Sequence, residues 1–130
     1  MQRKWTLTAI AGAGAGLLLA LSAAQKPAPL SMARGGMWEI DPVGPGPRVR
    51  QCVPDPLALA TLELRGRACS RTVVRAGPSS AVLEFTCGGS DFARSEITVL
   101  TPRSLRIESQ GIAGGGPFRR LINARRTGDC

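Results

Sequence analysis

Four cysteines, Cys52, Cys69, Cys87 and Cys130, constrain this chain more than anything else in it. They lie behind an N-terminal segment that reads as an export signal. Arg3 and Lys4 give a positive start, and Trp5 through Ala24 carry no charge. Leu17-Leu18-Leu19-Ala20-Leu21 is the apolar centre, and Ser22-Ala23-Ala24 ends the segment in small residues. That order predicts cleavage after Ala24. The alternative is a retained anchor, because twenty uncharged residues can just span a bilayer. Gly12, Gly14 and Gly16 make the segment a poor permanent helix. No cysteine stands at the cleavage position to take a lipid. Export delivers an even number of thiols to an oxidising compartment, where small domains add disulfides to a thin core.

Four cysteines allow three pairings. Cys69–Arg75 and Ala81–Cys87 both read as strands rich in β-branched and aromatic residues, and Ala76-Gly77-Pro78-Ser79-Ser80 between them is a turn cluster. A three-residue loop at Gly77-Pro78-Ser79 sets Val73 opposite Leu83, Arg71 opposite Phe85 and Cys69 opposite Cys87. Directly opposed side chains are close enough for a sulfur–sulfur bond. The expected partner of Cys52 is then Cys130.

The rest of the chain reads as strands and turns. Residues 1–24 are the leader, 25–35 a flexible lead-in, and 36–130 one domain. Gly36–Ile40 is a short strand, Asp41–Pro47 a Pro/Gly loop, and Arg48–Val53 an alternating strand stopped by Pro54. Asp55 is a helix cap and Pro56 suits the first helical position, so a short helix is expected over Pro56–Arg65, closed by Gly66. Phe92–Leu100 and Ser104–Gln110 form a second hairpin around Thr101-Pro102-Arg103. Gly111–Pro117 is a loop, and Phe118–Arg126 a last strand. The expected fold is mainly β: a small, curved or partly closed antiparallel sheet with one short helix and two disulfides.

The composition removes whole chemistries. There is no histidine, hence no Ser-His-Asp or Cys-His system and no imidazole metal site. No two cysteines have CxxC spacing, and neither a metal nor a cofactor is expected. Five aromatic residues, Trp5, Trp38, Phe85, Phe92 and Phe118, are too few for a base-stacking platform. Nucleic acid is therefore not an expected partner, despite a formal charge of +8. Losing Arg3 and Lys4 with the leader lowers that charge to +6, and Lys26 is then the one remaining lysine. Arg119, Arg120, Arg125 and Arg126 cluster near the C-terminus, and Arg48 and Arg50 lie beside Cys52. A Cys52–Cys130 bond would draw the two groups together as an anion-binding site, since a guanidinium grips carboxylate or phosphate in two places. The expected partner is an anionic envelope component or an acidic protein. Two other readings exist: a hydrolase using paired carboxylates from Glu39, Asp41 and Asp55 or from Glu84, Glu96 and Glu108, and a lipocalin-like carrier holding a small apolar molecule inside the sheet. No catalytic residue is assigned.

Four features in order carry a family resemblance. They are Gly36-Met37-Trp38-Glu39, Cys52 before a short helix, Cys69 and Cys87 around a hairpin with Gly88 following, and the ending Arg125-Arg126-Thr127-Gly128-Asp129-Cys130. Residues 36–130 resemble the exported bacterial domain-of-unknown-function family three-six-one-seven. The resemblance implies a Sec-type signal, periplasmic residence and a small disulfide-linked domain, and it brings no catalytic residues. Members often carry Met- and Thr-rich strands before the C-terminal motif; here that stretch is Phe118-Arg119-Arg120-Leu121.

Overall fold

The computed structural model describes residues 26–130; the expected leader, residues 1–24, lies outside them. Seven strands form one antiparallel sheet: β1 (Gly36–Pro42), β2 (Val49–Val53), β3 (Cys69–Ala76), β4 (Ser80–Cys87), β5 (Phe92–Thr101), β6 (Ser104–Ala113) and β7 (Gly116–Gly128). The spatial order is β2-β1-β7-β6-β5-β4-β3. From β3 to β7 the chain is a meander, and the first strand returns to pair with the last.

Strand alternation gives the sheet one apolar face. Trp38, Ile40, Leu83, Ile97, Leu105, Ile107 and Ile122 all point there and are almost wholly buried. The Trp38 indole N–H donates to the Arg34 carbonyl at 3.2 Å, so its one polar atom is satisfied.

A segment over Pro56–Leu64 crosses this face from the end of β2 to the start of β3. It is the short helix expected over Pro56–Arg65, of the 3₁₀ type and ending one residue earlier. The cap is as expected: the Leu57 N–H donates to the Asp55 carboxylate at 3.0 Å. Thr61, at φ −124° and ψ 23°, breaks the helix in two. Its β-branched side chain donates to the Ala58 carbonyl at 3.2 Å, a bond that competes with regular helix. Leu57, Leu59, Ala60 and Leu64 are buried beneath it. Ser95 pins the crossing to the sheet: its buried hydroxyl donates to the Ala60 carbonyl at 2.8 Å and accepts from Ser109, also at 2.8 Å.

The sheet is curved. In a flat sheet, six spacings of about 4.8 Å would hold β2 and β3 about 29 Å apart. Yet Gln51 of β2 and Arg71 of β3 border the same groove. The edges therefore curl toward each other across the 3₁₀ segment without pairing, and the sheet stays open.

Two expectations are corrected. Residues 26–35 are not a lead-in outside the domain. Ala28–Met32 form a 3₁₀ turn that buries Pro29 and Leu30, because the short crossing segment leaves part of the apolar face uncovered. Nor is Gly111–Pro117 a loop. β6 continues to Ala113 and β7 begins at Gly116, joined by Gly114 and Gly115 at φ 63° and 83°. Two consecutive left-handed residues make the tight hairpin turn that suits sheet twist, and glycine adopts it without strain.

Both disulfides form as the hairpin register implies. Cys69 pairs with Cys87 at a Cα–Cα distance of 4.0 Å, and Cys52 with Cys130 at 5.4 Å. Arg71 faces Phe85 and Val73 faces Leu83, after which a bulge shifts the register before Arg75.

Replacing Cys52 and Cys130 by alanine is expected to cost about 4 kcal/mol, and replacing Cys69 and Cys87 about 3 kcal/mol, in urea unfolding, because the first bond closes the longer loop. Ser95→Ala leaves the buried Ala60 carbonyl without its partner and should cost about 1–3 kcal/mol. Ser70→Ala, at an exposed hydroxyl, should stay within about 0.5 kcal/mol of the parent in the same measurement.

Candidate functional site: the arginines of the outer face

The face of the sheet opposite the core carries the charges. Alternation and register bring Arg50 of β2, Glu39 of β1 and Arg125 of β7 into one cross-strand row. The next row holds Asp41 of β1, Asn123 of β7 and Arg106 of β6. Arg48 reaches both acids, at 2.9 Å from Asp41 and 3.5 Å from Glu39, and Arg125 approaches Glu39 at 3.5 Å. Arg50 donates to the Thr127 hydroxyl at 3.4 Å. Among the described residues, Arg50 and Arg106 are in no ion pair. The β5–β6 turn lies alongside, because the Arg126 N–H donates to the Arg103 carbonyl at 2.8 Å. Arg48, Arg50, Arg103, Arg106 and Arg125 thus stand against Glu39 and Asp41, and all five arginines are exposed. The Arg48 pKa is raised above its ordinary value, first by its hydrogen bond to Asp41 and then by the charges of Asp41 and Glu39.

The six expected anion-binding arginines do not form one group. Arg48, Arg50 and Arg125 converge. Arg119 shares their face but lies six residues from Arg125 along β7, about 20 Å away, and pairs with Glu108. Arg120 and Arg126 point to the opposite face. Arg120 pairs with Glu63 of the crossing segment. Arg126, with its side chain only 7% exposed, donates to the Gly35 carbonyl at 2.9 Å and pairs with Asp129. Arg103 and Arg106 were absent from the expectation, since only the β6–β7 pairing reveals that they lie near Arg125.

Comparison with protein-family models, curated proteins and solved structures finds no match to this chain.

Glu84 pairs with Arg94 at 2.6 Å, and Asp91 with Arg67 at 3.2 Å. Glu96 lies directly across from Glu108. That pair sits on the water-facing side, without the apolar enclosure that keeps a carboxyl protonated as a general acid. Among the described residues, no three His, Cys, Asp or Glu side chains group so as to hold a metal ion. The outer face offers fixed cations and hydrogen-bond donors, which suit recognition of phosphate or carboxylate oxygens.

On the covered side, Asp55 joins the start of the domain to the crossing segment. Burial pushes its carboxyl upward, but the Lys26 hydrogen bond, the Leu57 N–H and the charges of Lys26 and Arg71 outweigh that and hold it below its ordinary range. Lys26 lies 2.9 Å away. A lowered folded-state pKa contributes stability that is complete above the unfolded value and disappears as pH falls through the folded value. Asp55→Ala should therefore cost about 1 kcal/mol near neutral pH. The gap between parent and variant, followed by urea unfolding, should close as pH drops below about 4.

Proposed function

We propose that this protein is an exported, non-catalytic binding module of the bacterial cell envelope whose outer sheet face recognises anionic head groups. The supporting observation is the convergence of Arg48, Arg50, Arg103, Arg106 and Arg125 on one exposed region around Glu39 and Asp41, where the neighbouring Glu108 is taken by Arg119. Two disulfides fit an oxidising, extracytoplasmic compartment. No helix among the described residues is long and apolar enough to cross a membrane. In this reading the leader is cleaved after Ala24 and the mature chain resides in the periplasm. The motifs shared with family three-six-one-seven support the same compartment.

The attraction is electrostatic and additive over exposed arginines, roughly 1 kcal/mol for each one near an anionic surface. It weakens with salt, as interactions between exposed charges do. Sedimentation of the disulfide-intact protein with vesicles tests it. Vesicles containing phosphatidylglycerol should retain the protein and pure phosphatidylcholine should not. Arg50→Gln, Arg106→Gln and Arg125→Gln together should lower retention at least about tenfold at low salt, whereas Arg119→Gln should change it little. Equal retention on both vesicle types, or an unaffected triple variant, overturns the proposal.

A further inference from the structure

The curled sheet leaves a groove between its edges and the crossing segment, on the side opposite the arginines of the outer face. Its volume is about 590 Å³, within the usual range for small-molecule sites, about 300–1,000 Å³. Leu64 and Phe85, both buried, form the floor, and Leu62 is partly exposed beside them. Arg65, Arg67 and Arg71 stand around this apolar surface.

The charge there is not cancelled. Arg65 donates to the neutral Gln51 amide oxygen at 3.4 Å, and among the described residues it is in no ion pair. Arg67 is half-exposed although it reaches the buried Asp91 carboxylate. Asp55, the one acid on the groove's border, is engaged by Lys26 at 2.9 Å. Arg65 thus brings to the apolar floor a positive charge that no acid among the described residues pairs with, and Arg67 and Arg71 stand beside it. Guanidinium groups match carboxylate and phosphate oxygens, and leucine and phenylalanine match hydrocarbon.

We infer that this groove binds a single-chain anionic amphiphile, its carboxylate or phosphate held by Arg65, Arg67 and Arg71 and its hydrocarbon laid on Leu62, Leu64 and Phe85. The site goes beyond head-group recognition by the outer face and shares no residue with it. It also differs from a lipocalin-like interior. The apolar face of the sheet is filled by its own side chains and the crossing segment, so the available space lies at the mouth of the curl.

Isothermal titration of the disulfide-intact protein with laurate, dodecyl phosphate, dodecyltrimethylammonium, acetate and inorganic phosphate, all below micelle-forming concentrations, tests the inference. At least one of the two anionic amphiphiles should bind one to one, whereas the cationic amphiphile and the bare anions should bind at least about tenfold more weakly. Tighter binding of laurate assigns a carboxylate head, tighter binding of dodecyl phosphate assigns a phosphate, and either supports the site. Arg65→Gln, at an exposed position, should weaken the preferred amphiphile about tenfold with unchanged urea unfolding, and Arg65→Gln with Arg71→Gln should weaken it further. Arg50→Gln with Arg125→Gln should leave it unaltered, which separates this site from the outer face. Equal affinity for the cationic amphiphile, no binding of either anion, or full affinity in folded Arg65→Gln protein overturns the inference.

Discussion

A sheet with one apolar face must cover that face, and this chain has little to cover it with. Among the described residues, it supplies only the 3₁₀ segment Pro56–Leu64 between β2 and β3 and the turn Ala28–Met32 before β1. Seven strands present more surface than two short segments can bury when the sheet is flat. The sheet therefore curls around the crossing segment. Leu59, Ala60 and Leu64 fill the centre, Leu30 closes the remaining gap, and Ser95 fixes the crossing by bonding the Ala60 carbonyl. The curl produces the groove, because the two edges approach without pairing. It also leaves the convex side free of apolar demands, so that side collects the arginines.

The two ends of the domain meet in one place, where the Gly36-Met37-Trp38 strand, Cys52 and the C-terminal Arg126–Cys130 stretch lie together. β1 pairs with β7, so Trp38 stands opposite Arg126 and Met37 opposite Gly128, while Met37 also faces Cys52 on β2. Gly36 has a φ of 153°, and a Cβ on it would run into the Gly128 carbonyl oxygen and lie 2.6 Å from the Arg126 Nε. Glycine is required there because the β7 backbone at Gly128 and the buried guanidinium, on its way to the Gly35 carbonyl, occupy that space. Asp129 supplies the countercharge, and Cys130 bonds to Cys52 one strand away. A buried guanidinium without a carboxylate would be strongly destabilising. The Gly-x-Trp start and the Arg-x-Gly-Asp-Cys ending are thus two halves of one structural joint.

Much of this fold was legible from strand alternation and turn residues. The Cys69–Cys87 register followed from a three-residue turn, and both hairpins from their Gly and Pro signals. What could not be read locally depended on partners distant in sequence. Leucine spacing over Pro56–Leu64 suits an α-helix as well as a 3₁₀ helix, and the choice came from Thr61 and from contacts with β5 and β6. The Pro-rich segment before β1 resembles a linker until the uncovered apolar face gives Leu30 somewhere to go. The arginine cluster at residues 119–126 is a cluster in sequence only. Alternation sends Arg119 and Arg125 outward and Arg120 and Arg126 inward. Only the β1–β7 and β6–β7 pairings show that Arg125 belongs with Arg50 and Arg106. The groove arginines were partly within reach, because Arg67, Cys69 and Arg71 alternate on one side of β3 and its lead-in. The curl that opposes them to the crossing segment was not.

The absence of histidine governs how both basic regions respond to their surroundings. Arginine stays protonated at every pH a folded protein meets, so the outer face and the groove carry fixed positive charge. A pH dependence of binding must then enter through the ligand's own acid groups or through the protein's carboxylates at low pH. The two regions still differ in kind. On the outer face the charges are separated and open to water, so salt screens them and attraction is broad. In the groove, an anion would be held beside Leu62 and Phe85, where water is partly excluded and the same charges act more strongly. One chemistry, guanidinium meeting oxygen anion, thus gives loose attraction on the convex side and a basis for selectivity on the concave side, with the curl of the sheet making the difference.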